Sequence, residues 1–362
     1  MTWWLLLIVG LVALVGGAEV LVRGAAGLAA RFGLSSLVIG LTVVAYGTSA
    51  PEVAVSVDAV FQHRDSIALG NVVGSNSINV LVILGASAVI ASLTVSRQLL
   101  RVDIPILIGV SLLGFVMALD GKLSKLDGAL LLGCAIAYTA FTVMEGRRHA
   151  KRLEAARLAD VTVGEDETPG KGLHWGLQIG FVVLGAVLLA KGADWFVEGA
   201  IDVAKRLGLS DTVIGLTVVA LGTSLPEVAT SIVAAIRGER DMAVGNVVGS
   251  NIFNITVILG IATLAAPGGG MTVEPSILAF DLPVMVAVAL TLAPVAVSRG
   301  IIAKREGLFF LAIYAVYTSY LVLSAKGSEL VPEFQQIALG FLLPLLVIAL
   351  LVLAVQGLRR ET

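Results

Sequence analysis

Apolar runs of roughly twenty residues recur along the chain, at about 3–22, 35–61, 67–93, 102–119, 127–144, 174–197, 211–236, 242–265, 278–297, 307–325 and 336–357. Each is long enough to cross a bilayer as a helix. The alternation over about ten residues that marks a membrane β-strand is absent. The pattern predicts an all-α polytopic membrane protein. One polar stretch is longer than the rest, 145–173, which opens Glu-Gly-Arg-Arg-His-Ala-Lys-Arg-Leu-Glu and closes Glu-Thr-Pro-Gly-Lys-Gly. It divides the chain into a first half (1–144), a cytoplasmic linker loop (145–173), a second half (174–325) and an additional C-terminal helix with a basic tail (326–362).

The polar gaps also carry the orientation. Alternate loops gather most of the basic residues, from Arg23, Arg31, Arg97 and Arg101, through Arg147, Arg148, Lys151 and Arg152, to Arg359 and Arg360. The opposite loops hold Arg64, Lys122, Lys125, Lys205, Arg206 and Lys326. Positive charge favours the cytoplasmic side, so the N-terminus is expected outside and the long loop and C-terminus inside, in the inner (cell) membrane. Composition agrees: 57% of residues are hydrophobic and 14% charged, against about 25% charged in soluble domains. A net charge of −2 gives no basis for a nucleic-acid partner. Cys134 is the lone cysteine, and His63, His149 and His174 fall in or beside loops with no ligand spacing. The first apolar run lacks a basic leader and reads as a retained span.

Inside this apolar pattern one costly stretch occurs twice. Gly-Leu-Thr-Val-Val-Ala-Tyr-Gly-Thr-Ser-Ala-Pro-Glu covers 40–52, and Gly-Leu-Thr-Val-Val-Ala-Leu-Gly-Thr-Ser-Leu-Pro-Glu covers 215–227. A second motif, Gly-Asn-Val-Val-Gly-Ser-Asn, stands unchanged at 70–76 and 245–251. A constant offset of 175 relates positions from roughly 18 to 88 to their counterparts without a gap. The copies are five spans apart, an odd number, so the second is upside down relative to the first. Inverted repeats of this kind place a site near the bilayer midplane, where the two meet.

The chemistry of the motifs fits a cation. Pro51 has no N–H for the Gly47 carbonyl and Pro226 none for Gly222, so carbonyls around 45–48 and 220–223 can turn toward a cavity. Glu52 and Glu227 lie one turn away. Ser75 and Asn79, and Ser250 and Asn254, are four apart and share a helix face. Gly70 with Gly74, and Gly245 with Gly249, form small-xxx-small pairs suited to close helix packing. Asn71, Asn76, Asn246 and Asn251 either line the site or hydrogen-bond neighbouring helices. Every donor is oxygen, which suits calcium or sodium rather than zinc or copper.

These paired segments resemble the α-repeats of the cation/calcium antiporter superfamily, in particular its prokaryotic sodium/calcium exchanger branch. The resemblance implies a five-plus-five helix core, with the run at 336–357 a peripheral addition. It implies calcium carboxylates at Glu52 and Glu227, supported by the carbonyls of Thr48 and Thr223. Ser49, Ser75, Ser224 and Ser250, with the carbonyls of Ala45 and Ala220, would complete sodium sites, and Asn79 and Asn254 match the remaining inward polar positions. Several such exchangers carry aspartate where this chain has Asn254, and the loss of that charge argues against potassium co-transport. The expected activity is exchange of calcium for sodium by alternating access, with the first and sixth spans moving against the rest. Calcium/proton exchange on the same fold is the alternative, and a cation channel the alternative outside transport. Ser49 and Ser224 have no His or Lys base at a readable spacing, so an enzyme is not expected. No cofactor is implied; the expected partners are Ca2+ and Na+ as substrates and membrane lipids, with no obligate protein partner.

Overall fold

The computed structural model of the chain describes residues 2–159, 174–208, 214, 218, 220–325 and 328–332; the side chains of 149–159, 220, 297–299 and 325 lie outside that description. The expected span 336–357 and the linker from 160 to 173 also lie outside the described residues. The helices are α1 (Trp3–Phe32), a bent span made of α2 (Ser36–Thr48) and α3 (Ala50–Phe61), α4 (Asp65–Ile90), α5 (Leu99–Met117), α6 (Lys125–Ala159), α7 (Trp175–Arg206), α8 (Leu225–Ile236), α9 (Arg240–Ala265), α10 (Ile277–Ala296) and α11 (Lys304–Ala325). Among the described residues eight helices are long and apolar enough to cross a membrane, or nine when the bent pair counts as one span; α8 is a shorter apolar helix.

Three helices overrun their expected ends. α6 runs on to Ala159, so the first part of the expected linker loop 145–173 is helix. α1 continues to Phe32 because no breaker appears before Gly33, whose φ of 63° turns the chain while its N–H caps the Ala29 carbonyl. α7 continues to Arg206, two residues before Gly208 at φ 76°. α1 and α7 present apolar side chains outward, as lipid requires. Val12 is 66% exposed, whereas Ser49, Glu52, Ser75 and Asn79 are buried. Lipid is as apolar as leucine, so burial of leucine cannot drive assembly; close packing and interhelical hydrogen bonds must.

A glycine seam supplies the closest packing. Gly10, Gly17 and Gly24 recur every seven residues on α1, and their repeat counterparts Gly185, Gly192 and Gly199 do so on α7. A Cβ at Gly10 would come within 2.6 Å of the Phe196 nitrogen, and one at Gly185 within 2.7 Å of the Gly17 carbonyl oxygen. Gly10 faces Gly192 and Gly17 faces Gly185, so the two helices run antiparallel. The inverted relation of the halves is therefore visible directly in this pair.

The halves interleave rather than sit side by side. Gly85 on α4 packs on Gly307 of α11, and its counterpart Gly260 on α9 packs on Gly128 of α6. Two short antiparallel sheets tie the loops. β1 (Leu93–Thr94) pairs with β4 (Ile301–Ile302), and β2 (Lys122–Ser124) pairs with β3 (Gly270–Thr272). These contacts define two faces. One carries the β1–β4 sheet, the Thr94–Asp241 hydrogen bond (3.3 Å) and the Ser36–Glu239 hydrogen bond (2.7 Å). The other carries the β2–β3 sheet, the Thr272 N–H donating to Asp65 (2.8 Å), and Arg206 stacked over Trp3 at 5.8 Å. Since Arg206 and Arg240 begin and end on opposite faces, the chain crosses between α7 and α9.

Candidate cation site

Local backbone chemistry breaks the second span at its middle. α2 and α3 meet at 45°, and Ser49 at the junction sits at φ −85°, ψ 10°. Ser224 repeats this at φ −88°, ψ 4°. In each case a proline follows within two residues and starts a new helix, where its missing N–H costs nothing. Glu52 and Glu227 thereby fall in the first turns of α3 and α8, where the positive end of the helix dipole favours a carboxylate.

The two breaks brace each other. Ser49 Oγ donates to Glu227 Oε1 (2.7 Å), and Ser224 Oγ contacts Glu52 Oε1 (3.5 Å) and Ser75 Oγ (3.2 Å). Thr48 Oγ1 donates to Asn246 Oδ1 (3.2 Å), matched by Thr223 Oγ1 to Asn71 Oδ1 (3.3 Å). Asn246 Nδ2 also donates to Ser231 Oγ (2.9 Å) and reaches the Glu227 carbonyl (3.5 Å); Asn71 does the same toward Ser56 (3.0 Å) and the Glu52 carbonyl (3.3 Å). On the neighbouring helices Asn79 Nδ2 donates to Asn251 Oδ1 (2.8 Å), and Asn254 Nδ2 to Asn76 Oδ1 (3.1 Å). Asn79 and Asn254 each head a widened π-turn, Asn79–Leu84 and Asn254–Ile258, a local geometry common at functional sites.

This network leaves a defined set of oxygens over. Glu52 Oε2, Glu227 Oε2, Asn79 Oδ1, Asn254 Oδ1 and Ser250 Oγ are buried without a hydrogen-bond partner among the described residues. Four of the five form repeat-related pairs. No basic side chain offsets the carboxylates: the ion pairs among the described residues involve Glu19, Glu145 and Asp194. Two buried, uncompensated carboxylates cost several kcal/mol unless a cation or proton joins them.

The residues expected at the site fall as follows. Glu52, Glu227, Thr48, Ser49, Ser224, Ser75, Ser250, Asn79 and Asn254 are all buried in the region where the halves meet. Thr223 is half-buried and lines a cavity of about 310 Å3 with Pro51 and Gly222. The Ala45 carbonyl is not turned free of the helix, contrary to the proline argument: it accepts from the Ser49 N–H (3.1 Å) and the Thr48 hydroxyl (3.3 Å). The break lies one turn later than that argument assumed. Ala220 belongs to a helical turn, Ala220–Gly222.

The undecided asparagines act as braces, as just described. Gly245 and Gly249 pack as close-approach glycines, with Cβ positions 2.9 Å from the Leu37 carbonyl and 2.7 Å from Leu41 Cα. The repeat counterparts of those neighbours, 212 and 216, lie outside the described residues. One feature escaped the sequence reading altogether. Asp103 on α5 accepts from Tyr138 of α6 (3.0 Å), and Asp281 on α10 accepts from Tyr317 of α11 (3.0 Å). The signal was present as Asp-Ile-Pro at 103–105 and Asp-Leu-Pro at 281–283. It lies at an offset of 178, beyond the gap-free stretch at 175.

Comparison with known proteins follows the same lines. The family model described as sodium/calcium exchanger protein matches residues 2–144 and 177–323. The sodium/calcium exchanger MaX1 of Methanosarcina acetivorans is 37% identical over 346 residues, covering 87% of this chain and 97% of its own. The putative antiporter CaxA of Alkalimonas amylolytica is 37% identical over 321 residues, covering 88% and 98%. Among solved structures, the sodium-calcium exchanger NCX_Mj soaked with zero Na+ and Ca2+ superposes with a TM-score of 0.73 at 32% identity, covering 88% of this chain and 98% of that one. The repeats, the helical membrane fold and these matches together place the chain in the sodium/calcium exchanger family, whose members are transporters, not enzymes, and work without a cofactor.

Proposed function

We propose that this protein exchanges calcium for sodium across the membrane by alternating access, through one cation site where the inverted repeats meet. The observation that carries the reading is the pair of buried carboxylates, Glu52 and Glu227, each with one oxygen unpartnered and no basic residue paired with it among the described residues. A divalent ion neutralises both at once. Calcium accepts six to eight oxygens in flexible geometry, and the carbonyls of Thr48 and Thr223, four residues before the glutamates, would add to them. Sodium ions take the flanking neutral oxygens, the hydroxyls of Ser49, Ser75, Ser224 and Ser250; the Ala45 carbonyl is already occupied within its helix. Asn79 and Asn254 offer a neutral amide oxygen each toward the centre.

Exchange follows if the two cargoes exclude each other. Calcium holds both carboxylates, so its departure leaves two negative charges that only entering cations can satisfy. The empty, charged state is the costly one, and a protein that crosses between its two open states only when neutralised is an obligatory exchanger. Charge bias orients it with the β1–β4 face toward the cytoplasm and the N-terminus outside.

Calcium uptake into proteoliposomes tests this, with sodium, potassium or a proton gradient as the only internal driving ion. Uptake is expected to need internal sodium and to fall at least a hundredfold in Glu52→Gln or Glu227→Gln, about the 3–5 kcal/mol lost when a buried charge loses its partner. Uptake driven by protons alone would reassign the coupling ion. Uptake surviving either substitution would remove the glutamates from the site.

A further inference from the structure

The two faces of the transport path differ in charge where the repeat makes them equivalent in position. The two-fold axis relating the halves passes the α1–α7 pair between residues 13 and 14 and between 188 and 189, as the Gly10–Gly192 and Gly17–Gly185 contacts require. Glu19 on α1 and its counterpart Asp194 on α7 therefore stand at matching heights, each roughly 8 Å along its helix from the centre, on opposite sides.

On the β2–β3 side the path is open. The cavity of about 310 Å3 runs between α3 and α7, lined by Pro51, Val55, Asp194, Glu198 and Thr223 among others, and so reaches from acidic side chains to the break beside Glu227. On the β1–β4 side the equivalent positions are closed. Val22 and Thr230, the counterparts of Val197 and Val55, are buried. Across that closed face Glu19 receives Arg237 of α8 in a two-pronged pair, Nε to one carboxylate oxygen and a terminal nitrogen to the other. Arg23 adds a third contact from within α1 (2.6 Å).

The repeat does not conserve these charges. Arg237 corresponds to Gln62, which bonds Asp58 on its own helix (2.6 Å), and Arg23 corresponds to Glu198. The closed face thus joins an acid to two cations, one of them across helices, whereas on the open face Asp194 pairs with Lys191 within α7 (3.3 Å), Gln62 bonds Asp58 of α3, and Glu198 adds a further acid. When the halves exchange conformations, as inverted repeats do in alternating access, the open face must close without any equivalent ion pair.

Resting on the alternating-access reading above, we propose that the Glu19–Arg237 ion pair is a latch between α1 and α8 that holds the β1–β4 face shut, so that the substrate-free protein rests open toward Asp194 and Glu198. α1 and α7 touch each other along their length and reach the remaining helices chiefly through α8 and the α2–α3 break. A bond from α1 to α8 therefore spans the joint that has to move. Glu19 has an acidic counterpart in Asp194, but Asp194 pairs with Lys191 of its own helix (3.3 Å) and Gln62 stands where Arg237 would, so no ion pair crosses the other end of the joint among the described residues, and that inequality fixes the direction of the bias.

The test is a thiol-accessibility measurement on the full-length protein in detergent without calcium. Cys134→Ala removes the native thiol, and Thr230→Cys reports opening of the closed face, with Val55→Cys reporting the open one. A charged, water-soluble thiol reagent is expected to label Val55→Cys faster than Thr230→Cys. Labelling of Thr230→Cys reads the minor state, so Glu19→Gln or Arg237→Gln is expected to raise its rate roughly two- to fivefold, the range for a partly exposed ion pair. The charge swap Glu19→Arg with Arg237→Glu is expected to bring it back. Equal rates across all variants, a swap that labels as fast as the single changes, or Thr230→Cys outpacing Val55→Cys in the parent would each overturn the latch. Calcium flux of the parent is read separately in proteoliposomes: no exchange there sinks the antiport reading, while the labelling still decides the latch.

Discussion

At the scale of single residues the site is a matter of which oxygens are spent on the protein itself. Asn71 and Asn246 illustrate the division. Each amide satisfies a threonine hydroxyl, a serine hydroxyl and a glutamate carbonyl, and so holds the broken helix in place while the glutamate side chain keeps one oxygen unpartnered. Asn246→Ala would strip all three partners at once, leaving buried polar groups at about 1–3 kcal/mol each. The apparent affinity for calcium, read from the concentration dependence of uptake, is expected to fall about tenfold or more. Ser231→Ala removes one partner and is expected to cost less. An unchanged affinity in Asn246→Ala would show that the brace does not position Glu227.

At the scale of elements, helix contacts in lipid depend on shape, and the glycine seam between α1 and α7 is the clearest case. Gly16 and Gly17 are neighbours in sequence with opposite surroundings. A Cβ at Gly17 would press to 2.9 Å on Leu188 and Leu189 of α7, whereas one at Gly16 meets nothing within 4 Å among the described residues. Gly17→Val is expected to lower stability by about 1–3 kcal/mol through overpacking, with a lower midpoint in a detergent thermal-unfolding assay. Gly16→Val is expected to leave that midpoint nearly unchanged. Equal effects would mean that the helices separate freely at this level. The π-turns at Asn79 and Asn254 belong to the same scale: a widened turn rotates the amide toward its partner across the repeat without ending the helix.

At the scale of the whole molecule, two tiny sheets connect loops that are far apart in sequence, one sheet on each face. Both join the ends of helices outside the α1–α7 pair, so the proposed alternating access would carry them as fixed parts. A disulfide between Lys122→Cys and Thr272→Cys, which face each other across the β2–β3 pair, is expected to preserve most calcium exchange in a Cys134→Ala background. Flux measured before and after oxidation checks this. Loss of exchange on oxidation would place these strands in the moving body.

Much of this was legible beforehand because it is local or periodic. Membrane helices follow from apolar length alone, and a duplicated Gly-Thr-Ser-x-Pro-Glu at a constant offset announces two equivalent, inverted halves. The oxygen-only donor set follows from residue identity. The end of α1 was not legible, since apolar length marks where a helix leaves lipid rather than where it stops, and Gly33 decided the latter. The Asp103–Tyr138 and Asp281–Tyr317 bonds were missed because loop insertions shift the offset. Sequence by itself determined the class, the repeat and a candidate set of site residues, since these depend on side-chain chemistry and spacing. Only the tertiary structure decided which asparagines brace and which oxygens are left over, that Gly10 meets Gly192, and that Glu19 meets Arg237 on a closed face. Hydrogen-bond partners across 150 to 200 residues are set by how the halves interlock, and no local pattern encodes that.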